Sequence, residues 1–240
     1  MRIPLTCMKC SEEQGKPDKR SYPAELQDNG LYVLKCAVGH QTVTCLQNQK
    51  YDVLFELAAN AILDGYYREA VISFTSCLER FYQFYLQIMS IKHRVLKDNF
   101  TKAWKSVSDK SERQLGAYII AFTMETGKPP VLLKPSMVSF RNDVIHKGKI
   151  PSKEEAIQYG QAVLDLVAPA LAKLKEQYPE HVLEAIKRHV METRNQIQGN
   201  PRVQFMGINT TISTSRVTGQ TQRSLLDTLK RLRMMRMVGL

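Results

Sequence analysis

The sequence predicts a mainly α protein in three parts: a small cysteine-bearing β segment, a helical bundle, and a basic C-terminal extension. Three observations predict it. From Tyr51 to about Gly199, apolar residues recur every three or four positions, the period of a helix with one buried face. The first fifty residues lack that period and hold four of the five cysteines. Past Gly199-Asn-Pro201 the composition turns to Thr, Ser and Val, then to Arg and Lys. The expected divisions are 1–49, 50–198 and 199–240. With 43% apolar and 24% charged residues among 240, the chain can bury a real core, which excludes wholesale disorder and a disulfide-stapled miniprotein.

In the N-terminal segment, Cys7-Met-Lys-Cys10 is a C-x2-C knuckle and Cys36-Ala-Val-Gly-His40 a C-x3-H. Each short turn aims two donors at one point, so the two pairs together supply the four ligands of a tetrahedral Zn²⁺. Gly39 suits the tight turn of the second knuckle. Four donors without a spare carboxylate describe a structural ion rather than a catalytic one. Metal would also explain how so small and polar a segment folds. Two alternatives stay open: a redox C-x2-C pair, and Cys45 in place of His40 as the fourth ligand. Leu31–Leu34 and Gln41–Thr44 read as short strands.

The helices follow in order. Residues 51–64 form the first, ended or bent by Gly65. Residues 66–97 form a long second helix whose stripe of Val71, Phe74, Leu78, Phe81, Tyr85 and Ile88 faces the core, with Cys77 in the same arc. A short amphipathic piece spans 98–107 and a third major helix 109–125, before Gly127-Lys-Pro-Pro breaks the chain. Another helix runs from about Ser136 to Lys147. Ser152-Lys-Glu-Glu155 is a capping box that opens a helix to about Leu166, with a kink expected at Pro169 and a last helix after Pro179. Residues 203–218 read as a hairpin or a linker. Residues 221–238 read as a basic amphipathic helix that could meet RNA, a partner or an anionic membrane face.

The formal charge of +11 is uneven: residues 181–240 carry 10 basic and 3 acidic groups, whereas residues 141–180 balance at 6 and 6. A basic chain attracts polyanions, and nucleic acid is the usual one. No run approaches the ~18 apolar residues of a spanning helix. Met1–Lys16 has no apolar stretch of the secretory kind, so a cytoplasmic protein is expected. Neither a Gly-rich phosphate loop nor GxSxG is present.

The segment from Ser139 to Gly148 carries the chemistry. Met137, Val138, Phe140, Val144 and Ile145 share one helical arc, and Arg141 falls within it, where an unpaired guanidinium is costly. Such an Arg belongs to an ion pair, for which Glu79 is the candidate partner, or to a face that meets a second chain. Asn142 and His146 share the opposite flank.

Arg141-Asn142-x-x-x-His146, in its all-α setting, resembles the R-x4–6-H motif of the HEPN superfamily. The resemblance covers roughly residues 50–180 and does not extend to the N-terminal segment. It implies an α-helical bundle and a metal-independent endoribonuclease that works as a homodimer, with motifs from both chains lining one groove. His146 would serve as base or acid near neutral pH. Arg141 would hold the phosphate with its planar fork. Asn142 would orient the phosphate or the imidazole, and Lys147 would add a phosphate contact. By analogy with the superfamily, a toxin or anti-phage role follows, with an antitoxin or defence protein as partner. HEPN-like domains without nuclease activity also occur, so a non-catalytic adaptor binding nucleic acid or protein is the competing reading.

Overall fold

In a computed structural model the chain is described over residues 1–199, 202–214 and 224–237. It is mainly helical, with two small sheets at one end. In chain order the elements are β1 (Arg2–Leu5), α1 (Met8–Gln14), β2 (Tyr22–Glu25), β3 (Leu31–Lys35), β4 (Gln41–Leu46), α2 (Lys50–Leu63), α3 (Tyr67–Lys92) and α4 (Lys97–Lys105). There follow α5 (Ser111–Thr126), α6 (Pro135–His146), α7 (Lys153–Gln177), α8 (Pro179–Arg194), β5 (Val203–Met206) and α9 (Leu225–Met237).

Helix α3 is the axis of the bundle. Its predicted stripe of Val71, Phe74, Leu78, Phe81, Tyr85 and Ile88 is buried throughout, as is Cys77. Helices α2, α5, α6, α7 and α8 all pack on it. Aromatic rings join the layers: Phe55 meets Phe74 at 5.0 Å and Tyr51 meets Phe81 at 5.5 Å. Helix α7 comes unusually close at Gly160, where a Cβ would stand 2.5 Å from the Phe74 ring and 2.7 Å from Leu225. Only a residue without a side chain permits that approach.

Helix α7 opens with the expected capping box, in which Ser152 Oγ accepts from the Glu155 N–H. It does not end near Leu166 but continues through Pro169 to Gln177. Proline leaves the Asp165 carbonyl without a helical donor, and both Asp165 and Pro169 lie on the exposed side, open to solvent. On the inner side Val163, Leu164, Val167, Leu171 and Leu174 are buried, and that packing outweighs proline's local cost of about 3 kcal/mol.

The start of the C-terminal extension differs from the expected hairpin or linker. Instead of a hairpin or linker, β5 lies parallel to β4, with Val203 opposite Val43 and Met206 opposite Leu46, and completes a sheet in the order β3-β4-β5. Residues 207–214 then run along the start of α2. There Asn48 exchanges hydrogen bonds with the Ile208 backbone at 2.7 and 3.1 Å, and Thr214 Oγ1 lies 2.6 Å from the Tyr51 hydroxyl and donates to Asp52 at 3.2 Å. Helix α9 buries Leu225, Thr228, Leu229 and Leu232 and packs on α2 and α7. Residues 215–218 of the expected hairpin or linker, and 221–223 and 238 of the expected helix, lie outside the described residues.

No helix among the described residues is long and apolar enough to cross a membrane.

Candidate functional site

Cys7, Cys10, Cys36 and His40 converge, their donor atoms all within 4.8 Å of one another, so the four can hold a metal ion. Local structure explains the meeting. Cys7 caps α1 and Cys10 sits in its first turn. Cys36 and His40 flank the tight turn between β3 and β4, closed by hydrogen bonds from Gly39 N–H to Cys36 O (2.9 Å) and from Cys36 N–H to His40 O (3.0 Å). Gly39 takes φ +92°, open to glycine and strained for others.

The spacings suit a tetrahedral ion. With metal–sulfur bonds of about 2.3 Å and metal–nitrogen of about 2.0 Å, the S···S and S···N edges come to about 3.8 and 3.5 Å. Here Cys10 Sγ lies 3.7 Å from Cys36 Sγ and 3.3 Å from His40 Nδ1, and Cys7 Sγ lies 3.8 Å from the same nitrogen. All three cysteines are buried. Burial, together with the Cys7 and Cys36 thiols beside it, pushes the Cys10 thiol up to about 12 in the absence of metal. Burial works in the same direction on Cys36, yet backbone N–H groups of Val38 and His40 and the Cys10 and Cys7 side chains bring it below its ordinary value. A cation among these donors supplies the charge that burial withholds.

Two supporting residues carry no signal in the local sequence. Glu13 Oε1 stands 3.2 Å from His40 Nε2, which orients the ring so that Nδ1 faces the sulfurs. Gln204 on β5 accepts from Met8 N–H at 3.0 Å, donates to Thr6 O at 3.0 Å, and bonds to Thr44 Oγ1, so the C-terminal strand clamps the entry to α1. Cys45 faces elsewhere, buried on β4 and outside the group, so His40 is the fourth donor.

The second candidate site surrounds α6. Arg141 and Asn142 line a cavity of about 250 Å³ with Glu79 and Tyr82 of α3, Glu112 of α5 and Tyr159 of α7. Arg141 Nε is buried without a hydrogen-bond partner, and the side chain forms no ion pair with a described residue, Glu79 included. Burial raises the Glu79 carboxyl, against the pull of the Arg80 and Arg141 charges. Its own backbone N–H and Ser111 lower Glu112, and the Arg141 charge adds to this.

His146 is the last residue of α6, exposed and outside that cavity. Residues five apart on a regular helix diverge by about 140°, and α6 is regular from Pro135 to His146. Within one chain, therefore, Arg141 and Asn142 come together and His146 does not join them. Lys147 is exposed and pairs with Asp143 at 2.8 Å. Much of the C-terminal basic excess is engaged within the chain: Arg231 pairs with the buried Glu56, Arg236 with Asp64 and Arg202 with Glu12.

No protein-family model, curated protein or solved structure matches the chain.

Proposed function

We propose that this protein is a metal-independent endoribonuclease of the HEPN kind, acting as a homodimer and held together at its N-terminal end by a structural Zn²⁺ on Cys7, Cys10, Cys36 and His40. The observation that carries the reading is Arg141: a guanidinium without an ion pair among the described residues and with a buried, unbonded Nε, on the same uninterrupted helix as an exposed histidine. A purely structural arginine would be expected to close an ion pair.

In the proposed reaction the RNA's own 2′-OH attacks the adjacent phosphorus, and the bond to the 5′-oxygen breaks. Two products leave, a 2′,3′-cyclic phosphate and a free 5′-hydroxyl. His146 takes the 2′-OH proton or supplies one to the leaving oxygen, the two roles open to an imidazole. Arg141 stabilises charge on the phosphorane, Asn142 orients it, and Lys147 exchanges Asp143 for a phosphate. Because Arg141 and His146 diverge, the working groove needs Arg141 from one protomer and His146 from the other. Exposed apolar side chains on the two segments that flank α6 in the chain, Val131 before it and Ile150 after it, support a second copy there. A toxin or anti-phage role, with an antitoxin or defence protein as partner, is the analogical extension.

One observation favours a non-catalytic adaptor instead. Two carboxylates, Glu79 and Glu112, share the cavity with Arg141 and offset its charge without a phosphate. RNA cleavage separates the two readings. Zinc-loaded wild type, Arg141→Ala and His146→Ala are incubated with RNA within minutes of adding EDTA, with bound zinc measured in parallel. Cyclic phosphate ends from the wild type alone support the nuclease. Equal activity in all three, or none in any, leaves the adaptor.

A further inference from the structure

A second cavity, of about 170 Å³, lies between α3, α4 and α8, and nothing above uses it. Gln83, Gln87 and Ser90 line it from α3, Phe100 and Trp104 from α4, and Arg188 from α8. Helix α4 buries none of its residues, so Phe100 and Trp104 stay half-exposed. The Arg80 guanidinium stands 5.6 Å from the centroid of the Trp104 ring and is fixed by Gln83 and Gln114, each at 2.9 Å. The Gln87 side-chain amide makes no hydrogen bond to a described residue. At the rim Lys97 pairs with Glu192 and Arg188 with Glu184, while Lys102 and Lys105 are exposed on α4 without an ion pair among the described residues.

This inventory has a chemical meaning. Aromatic faces and flat guanidinium groups stack unpaired bases, and a glutamine amide offers the donor and acceptor that a base edge requires. The volume is below the ~300–1,000 Å³ of ordinary small-molecule sites, so it admits a base rather than a whole nucleotide. Free lysines outside the cavity suit the phosphates.

Its place in the fold adds a second argument. Glu79, Gln83 and Gln87 recur at every fourth residue of α3 and so share one stripe. Glu79 lines the Arg141 cavity, whereas Gln83 and Gln87 line this one. One to two turns separate them, about 6–12 Å. Two to four nucleotides cover that span if stacked at ~3.4 Å each, and fewer if the strand is extended.

We infer that the cavity between α3, α4 and α8 binds an unpaired base of single-stranded RNA, a few nucleotides from the phosphate at Arg141. The inference rests on the RNA-cleaving reading for its choice of ligand. It gives α4 a role that its lack of packing leaves unexplained.

Trp104 is the only tryptophan in the chain, so its emission reports on this cavity alone. The full-length, zinc-loaded His146→Ala protein is titrated with a short single-stranded RNA, the same sequence as a duplex, and inorganic polyphosphate. The expected result is saturable quenching by single-stranded RNA, with at least tenfold weaker effects from the duplex and from polyphosphate. Phe100→Ala is expected to weaken binding about 5- to 150-fold, as loss of one stacked base does. Phe100→Tyr keeps the ring and stays within about twofold, which separates lost stacking from lost folding. Quenching that polyphosphate or duplex reproduces, an absence of quenching, or equal affinity in Phe100→Ala overturns the inference. Wild-type cleavage without quenching would remove the base site and leave the nuclease; quenching without wild-type cleavage would do the reverse.

Discussion

Asp52 offers a quantitative test of how the C-terminal segment is held. Its side chain is buried at the start of α2, beneath Thr214 and beside Asn48. Burial raises its carboxyl from 3.8 to about 7, although Thr214, Asn48 and the Gln49 backbone favour the charged form. The folded protein therefore keeps a proton that the unfolded chain gives up near pH 4. Between about pH 4 and pH 7 the native state binds more protons, so this group's contribution falls as pH rises, and it is constant above about 7. A difference of about three units corresponds to about 4 kcal/mol. Asp52→Asn stays neutral throughout. Urea unfolding of both proteins at pH 4.5, 6 and 7.5 isolates the effect, because other titrating groups cancel in the difference. The variant should gain on the wild type by several kcal/mol across that range, and in melting terms by roughly 10 °C. A difference constant within 1 kcal/mol would show that Asp52 is charged in the folded state, and the burial argument would be wrong.

Two further predictions rest on other parts of the fold. Wild-type protein should carry one equivalent of zinc, and Cys10→Ser should lose it along with protection of β1, β3 and β4 from hydrogen exchange; metal analysis below one equivalent in intact wild type would contradict the site. Gly160→Ala inserts a methyl group into the Phe74 ring and Leu225, so denaturant unfolding should show a loss of about 1–3 kcal/mol; a neutral result would mean that α7 and α9 shift apart freely.

Features of short range were legible in the chain. The zinc-type donors Cys7, Cys10, Cys36 and His40 come from one helix start and one tight turn, whose geometry a few residues specify. The capping box at Ser152 and the buried stripe of α3 are likewise local patterns. What escaped was set by distant contacts. Strand β5 pairs in parallel with β4 from about 160 residues away, and parallel pairs carry no turn signal between them. Glu13 and Gln204 matter only because the fold brings them to His40 and Met8. Pro169 reads as a kink beyond a helix ending near Leu166 until the exposure of its side of α7 is known. The divergence of Arg141 and His146 follows from helical geometry alone, whereas the carboxylates that share a cavity with Arg141 required the packing of α5 and α6 on α3.

That divergence also supplies the most direct test of the proposed shared groove. Arg141→Ala and His146→Ala proteins, each inactive alone, are mixed in equal amounts under conditions of subunit exchange, and RNA cleavage is measured. If each groove joins Arg141 of one protomer to His146 of the other, half of the dimers are mixed and each has one intact site. Activity should then return to about a quarter of wild type, the arithmetic of a two-site dimer. A mixture that exchanges subunits yet stays as inactive as its parents would place both residues in one chain, or outside catalysis, and would contradict the account.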